Sequence, residues 1–253
     1  RVFEEAGLPK GLLHLLPGGA DVGEAVVSAP EVSTVAFTGS TGAGRAIGET
    51  CGRMLKRAHL ELGGNNAMLV LPGADVDAAV SAAAFGSFMH AGQICMTTGR
   101  HLVHSSLYDE YVSKLAAKAD GLPVGDPHTE QVAVGPIIDD KQAQRIEDII
   151  TAAVDAGATV AAGGTREGRF IRPTVLTGLD RDNRAWADEI FGPVAPVMSY
   201  ETLDEVVELA NDSEYGLSIG VLGDVGTAMD LADRLDSGKI HINEQTVSDE
   251  SQA

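Results

Sequence analysis

Thr34-Val35-Ala36-Phe37-Thr38-Gly39-Ser40-Thr41-Gly42-Ala43-Gly44 carries an apolar, partly β-branched stretch through a glycine turn into a helical pattern. Residues 34–37 read as a buried strand, and residues 42–54 as a helix with Ala46, Ile47 and Met54 on its apolar side. The alternation continues downstream. Residues 58–62 and 67–71 are strand-like, and Asp75 is a suitable N-cap for a long helix through Val76, Ala79, Val80, Ala83, Ala84 and Phe88. Amphipathic helices follow over 108–119 and 139–156. Strands are then expected over 194–200, 218–222 and 239–243, with helices starting at Leu203 and Val225 between them. Such alternation predicts an α/β architecture, an open and mostly parallel sheet with flanking helices. The clearest change of character falls at Gly63-Gly64, so we expect one domain over residues 1–63 and another over 64–253.

The chain of 253 residues is long enough for a substantial core. Its net charge of −19 opposes phosphate backbones and anionic lipid surfaces, which disfavours nucleic-acid and membrane partners. The acidic residues are dispersed, as on solvated helix faces. Two cysteines cannot build a disulfide framework, and a cytoplasmic location is expected. The seven histidines form no metal set, because His101 and His104, three apart in a strand-like segment, would face opposite sides.

Two short runs carry the chemistry: Glu61-Leu62-Gly63-Gly64-Asn65 and Gly92-Gln93-Ile94-Cys95, with Glu61 and Cys95 34 positions apart. A soft nucleophile and a carboxylate, each flanked by glycine, are the parts needed for covalent catalysis at a carbonyl carbon. Cys95 follows a Gly-Gln turn where a helix is expected to begin, and backbone N–H groups at a helix start favour a thiolate. Cys51, in a helical pattern, reads as an inert core thiol. Glu61 lies 22 residues past Gly39, so by count it suits the acid that binds the adenine-side ribose of a dinucleotide. It equally suits a general base, or a plain strand-end carboxylate. The glycines after Phe37 suit a pyrophosphate at a helix N-terminus, or simply a tight strand–helix turn, since their spacing departs from Gly-x-Gly-x-x-Gly.

These runs, together with Phe37-Thr38-Gly39-Ser40-Thr41 and Glu189-Ile190-Phe191-Gly192-Pro193-Val194, resemble the signatures of the aldehyde dehydrogenase superfamily, over nearly the whole chain. The resemblance implies an enzyme with Cys95 as nucleophile and Glu61 as the base that activates water. It implies NAD or NADP as cofactor, held by Phe37, Thr38, Gly39, Ser40, Gly44, Leu62 and Gly63, with Glu189 on the nicotinamide-side ribose and Phe191 lining the nicotinamide. An aldehyde would pass through a cysteine thiohemiacetal and a thioester to the carboxylic acid. Residues 88–96 and 242–250 are most similar to the benzaldehyde, vanillin and salicylaldehyde dehydrogenase branch, which implies an aromatic aldehyde as small-molecule substrate. Phe85, Phe88, Met89 and Met96 are candidates for an apolar wall around such a ring, or else helix core.

A homodimer or homotetramer goes with the resemblance. The chain opens inside a helix-like run and closes without a stop signal, so we expect further chain at both ends. The resemblance places an oxyanion-binding Asn and the lysine-bearing adenine-ribose segment upstream, and we therefore expect little activity from this chain alone. Two other classes are weighed against the enzyme: a non-catalytic α/β binding module that keeps the motifs, and a cofactor-independent cysteine hydrolase using His90, five residues before Cys95.

Overall fold

The structure, a computed structural model, describes residues 1–248. The Asp249-Glu250 end of the 242–250 run and the closing residues 251–253 lie outside the described residues. The chain divides into two compact units, Arg1–Leu62 and the remainder from Gly63 onward.

In the first unit, α1 (Val2–Glu5) and α2 (Ala20–Ser28) precede a two-stranded parallel sheet of β1 (Thr34–Thr38) and β2 (Arg57–Glu61), joined by α3 (Thr41–Arg53). The strand expected to be buried over 34–37 is instead alternately exposed and half-buried. Nothing in this unit covers its outer face, so only the side against α3 is shielded. On α3, Ala46 and Met54 are exposed, and Gly44 and Cys51 are buried instead.

The second unit follows the alternation read from the sequence. Its elements are β3 (Asn66–Val70), α4 (Val76–Phe88), β4 (Thr98–His104), α5 (Ser105–Gly121), α6 (Asp140–Asp155) and β5 (Thr159–Ala162). A minimal hairpin of β6 (Arg166–Glu167) and β7 (Phe170–Ile171) leads to β8 (Thr174–Thr177) and α7 (Arg184–Ala187). Then come β9 (Val194–Tyr200), α8 (Leu203–Asn211), β10 (Ser218–Leu222), α9 (Val225–Ala232) and β11 (Lys239–Ile242). Among the described residues these form a seven-stranded sheet in the order β11-β10-β3-β4-β9-β8-β5. Every pairing is parallel except that of the edge strand β5 with β8.

Local chemistry explains the elements. Asp75 caps α4 by accepting from the N–H groups of Asp77 and Ala78, and Asp139 caps α6 through Gln142 N–H. Along α6, Ala143, Ile146, Ile149, Ile150 and Ala153 form the buried stripe of a helix lying on a sheet. β3 and β10 are buried at every position, as central parallel strands covered on both faces must be. Gly86 sits inside α4 because a Cβ there would lie 2.4 Å from Thr98 Oγ1. Among the described residues no helix is long and apolar enough to cross a membrane.

Candidate active site

The first unit assembles the glycine-turn residues at the carboxyl ends of its two strands. Ser40 caps α3, its hydroxyl accepting from Ala43 N–H at 3.3 Å, while Gly39 N–H donates to the Glu61 carbonyl at 3.1 Å. Thr38 lies opposite Glu61 in the parallel register. The ring of Phe37 covers Gly39, where a Cβ would come within 2.4 Å of its Cζ. Gly44 serves packing, since a Cβ would strike Leu62 Cδ2 at 2.4 Å. This close approach seats α3 on the strand and aims its N-terminal N–H groups at the turn, an arrangement that fits a pyrophosphate. The Glu61 carboxylate is more than half exposed and meets His59 Nε2 at 2.9 Å, two residues back on the same face of the strand.

In the second unit the candidate residues gather at the amino ends of the strands. Cys95 does not stand at a helix start as expected: the chain goes from a turn directly into β4 at Thr98. Thr97 N–H closes that turn on the Ile94 carbonyl at 2.9 Å, leaving only two residues between the thiol and the strand. Ahead of it, His90, Ala91 and Gly92 take successive left-handed backbone angles, φ 51°, 56° and 68°. Left-handed runs are costly for residues with a Cβ, so tertiary contacts must hold this one. Gly92 lies against the Gly192 backbone, a Cβ there falling 2.0 Å from Gly192 O. Gln93 ties the turn down from the other side: its Oε1 accepts from Ile138 N–H at 2.9 Å, and its Nε2 donates to the Pro136 carbonyl at 3.3 Å. Neither Cys95 nor Cys51 is in a disulfide, and Cys51 is fully buried in the first unit.

Glu189 is brought to Gly63-Gly64 across 125 residues of sequence. Its Oε1 accepts from Gly64 N–H at 3.0 Å, and a Cβ on Gly63 would lie 2.1 Å from Oε2, so Gly63 makes room for the carboxylate and Gly64 supplies its donor. Burial raises the Glu189 carboxyl above its ordinary range, against the opposing pull of Gly64 N–H and the Arg145 charge. Phe191 has a left-handed backbone, φ 54°. The sequence did not reveal what holds this loop. Arg145 donates to the carbonyls of Glu189 and Ile190 at 2.8 Å each, and Gln142 to those of Ile190 and Phe191. Both sit on α6 at i, i+3, a helix face legible as polar but not as aimed at a loop 45 residues away. Asn65 adds a third tie, its amide donating to the carbonyls of Trp186 and Ala187.

Two further expectations sort differently. Phe85, Phe88 and Met89 line a cavity of about 310 Å³ together with Leu122 and Val134, whereas Met96 lies against Ser248, Oγ to Sδ 3.5 Å. The four side chains therefore do not make one wall. His101 is fully buried between Ser87 Oγ (2.9 Å) and Tyr111 OH (2.8 Å), and burial lowers its pKa to about 3. No group of three metal-ligating side chains occurs among the described residues.

Comparison with known proteins gives the family. The model of the aldehyde dehydrogenase family matches residues 1–253. A vanillin dehydrogenase of an Amycolatopsis species is 62% identical over 100% of this chain and 52% of its own length. The benzaldehyde dehydrogenase (NAD+) of Pseudomonas putida is 49% identical over 98% of this chain and 51% of its own. An NAD+ complex of aldehyde dehydrogenase from Bacillus cereus superposes with a TM-score of 0.95 at 36% identity, covering 98% of this chain and 52% of that one. The chain thus spans about half the length of the relatives it matches. With its signature runs placed as described and matched from end to end, the chain belongs to the aldehyde dehydrogenase family.

Proposed function

We propose that a protein containing this chain oxidises an aldehyde, aromatic by preference, to the carboxylic acid with NAD or NADP. Cys95, as thiolate, adds to the carbonyl carbon; the S–C bond forms and the carbonyl electron pair moves to oxygen, giving a thiohemiacetal. The nicotinamide cofactor, when bound, supplies the acceptor for the hydride that this carbon loses. Cys95 then carries the acyl group as a thioester. Glu61 removes a proton from water as the water attacks, and the thiolate leaves with the C–S bond electrons. A thiol suits both ends, being nucleophilic on entry and a good leaving group on exit.

The observation that carries this proposal is the position of the Cys95 turn. Its carbonyl accepts from Asn66 Nδ2 at 2.8 Å and lies against Gly64, the glycine whose N–H donates to Glu189. For the cofactor, the residues present fit: the Ser40-capped start of α3 suits a pyrophosphate, and the carboxylate of Glu189 suits ribose hydroxyls. The names of the vanillin and benzaldehyde relatives favour an aromatic substrate and NAD. A homodimer or homotetramer in the cytoplasm goes with this proposal.

The test is turnover of benzaldehyde and vanillin, followed as NADH formation, by protein that contains this chain at its relatives' full length. Cys95→Ala should abolish oxidation, and Cys51→Ala should leave it nearly unchanged. Near-normal turnover by the Cys95→Ala protein would refute the assignment.

A further inference from the structure

The turn that bears Cys95 has no helix to satisfy its backbone and reaches the sheet only at Thr98, yet much of it is buried. Thr97 and Thr98 are inaccessible or nearly so, and Cys95 and Met96 are half-buried. Buried carbonyls need donors. Four successive ones, from Cys95 to Thr98, each receive a side chain. Asn66 Nδ2 donates to the carbonyls of both Cys95 and Thr97, at 2.8 Å each. Thr246 Oγ1 donates to the Met96 carbonyl at 2.6 Å, and Ser87 Oγ to the Thr98 carbonyl at 3.0 Å.

The donors are themselves fixed. Asn66 is 3% exposed, and its Oδ1 accepts from Ser218 N–H at 3.0 Å, which sets the orientation of the amide. Thr246 is fully buried, its hydroxyl shared with Thr98 Oγ1 at 2.7 Å and its carbonyl held by Ser218 Oγ at 2.8 Å. Thr246 reaches this place because the chain turns back after β11. Asn243 is left-handed, φ 56°, and the returning segment passes close over Gly220, where a Cβ would lie 2.9 Å from Glu244 O.

We propose that Asn66 and Thr246 are positioning residues for Cys95. They clamp the backbone on the C-terminal side of the thiol from two different elements, β3 and the segment after β11, and so fix where the sulfur meets a carbonyl carbon. The proposal rests on Cys95 being the nucleophile. A misplacement of about 1 Å can cost on the order of 100-fold in such a reaction. A simple alkylation makes no such demand, because it needs only a thiolate and room for a small reagent.

That difference gives the test. The chain is treated in parallel with p-nitrophenyl acetate, whose acyl group passes to the thiolate as nitrophenolate leaves, and with iodoacetamide. Modification at Cys95 is resolved by peptide mass. Thr246→Val and Asn66→Asp keep the side-chain shapes but remove the donors. We expect each to slow ester acylation of Cys95 by about 10- to 100-fold while changing alkylation by less than about threefold. Thr246→Ser, which keeps the hydroxyl, should stay within about threefold of the wild type in both reactions. If acylation in the variants falls only in step with alkylation, as for a chain that merely folds less well, or does not fall, the clamp is overturned. Failure of the nucleophile assignment is a separate result: acylation of the wild-type chain would then survive in Cys95→Ala.

Discussion

Gly92→Ala tests the contact between the Cys95 turn and the loop of Glu189 and Phe191, and Gly73→Ala is its internal control. Both glycines are left-handed, φ 68° and 77°, so alanine at either meets the same backbone penalty, about 1–2 kcal/mol. Their surroundings differ. A Cβ at position 73 finds nothing within 4 Å, whereas at position 92 it lies 2.0 Å from Gly192 O and 2.9 Å from Pro193 N. These are backbone atoms that cannot rotate away, so one of the two loops must move, at a further cost of about 1–3 kcal/mol. With a urea slope of about 3 kcal/mol per M, the Gly92→Ala midpoint should fall below that of Gly73→Ala by about 0.3–1 M. Trp186, the only tryptophan, is buried in the second unit, so its fluorescence reports on that unit alone. The displaced turn should also slow acylation of Cys95 in Gly92→Ala and not in Gly73→Ala. Equal midpoints and equal acylation rates in the two variants would refute the reasoning, since they would mean that the turn and the Gly192 loop do not press on one another.

Further expectations concern other parts of the molecule. In full-length protein, Glu61→Gln should give a pre-steady-state burst of NADH followed by a weak steady rate, because thiolate attack survives where water activation does not; if Glu61 instead binds the adenine ribose, weaker cofactor binding without burst and stall would appear in stopped-flow traces. His101 has a folded pKa of about 3, below the unfolded value near 6.5, so the unfolded chain binds more protons between these limits. The contribution of His101 to stability should therefore be constant above pH 6.5 and fall as the pH drops below it, by up to about 1.4 kcal/mol per unit. Urea titrations at pH 6.5 and 5 should show that fall in wild type and a smaller one in His101→Gln; equal slopes would count against a buried, neutral His101. The 253-residue chain by itself spans about half of its relatives, and we expect its NAD-dependent oxidation of benzaldehyde to be far below that of an intact relative, which a steady-state assay of the two side by side would check.

Elements whose residues decide their own conformation were legible. The strands β9 and β10 begin and end where the apolar runs do, and Asp75 caps α4 as its side chain suggests. What could not be read are the features that depend on a partner far along the chain. β1 has the composition of a buried strand, but burial needs a covering layer, and the first unit has none over its outer face. The antiparallel edge strand β5 is four residues long and buried only at Ala162, so no apolar period marks it. The Gly92-Gln93 turn before Cys95 suggests a place where a helix could begin. The three left-handed residues before it and the strand three residues after it leave no room for one.

The site itself divides along the same line. Cys95 and Glu189 stand in runs whose residue types announce chemistry, yet nothing local says that both runs come to Gly63-Gly64. The usual expectation for an open parallel sheet puts ligands at the carboxyl ends of the strands. In the second unit the candidate residues stand at the opposite end: Asn66, Thr98, Val194 and Ser218 each begin a strand, and the Cys95 turn, the Gly63-Gly64 pair and the Glu189 loop all lie just before one of them. Such a site has no helix N-termini of the following βα units to organise it. Side chains therefore do that work, and the residues involved, Asn66, Arg145, Gln142 and Thr246, all donate to main-chain carbonyls. A donor of this kind leaves no motif, because its partner is backbone and any residue type can stand there. Three-dimensional contact is the only signal that separates Asn66 from an ordinary polar residue at a strand start, which is why Cys95 could be proposed as nucleophile from the sequence and the side chains that hold its turn could not.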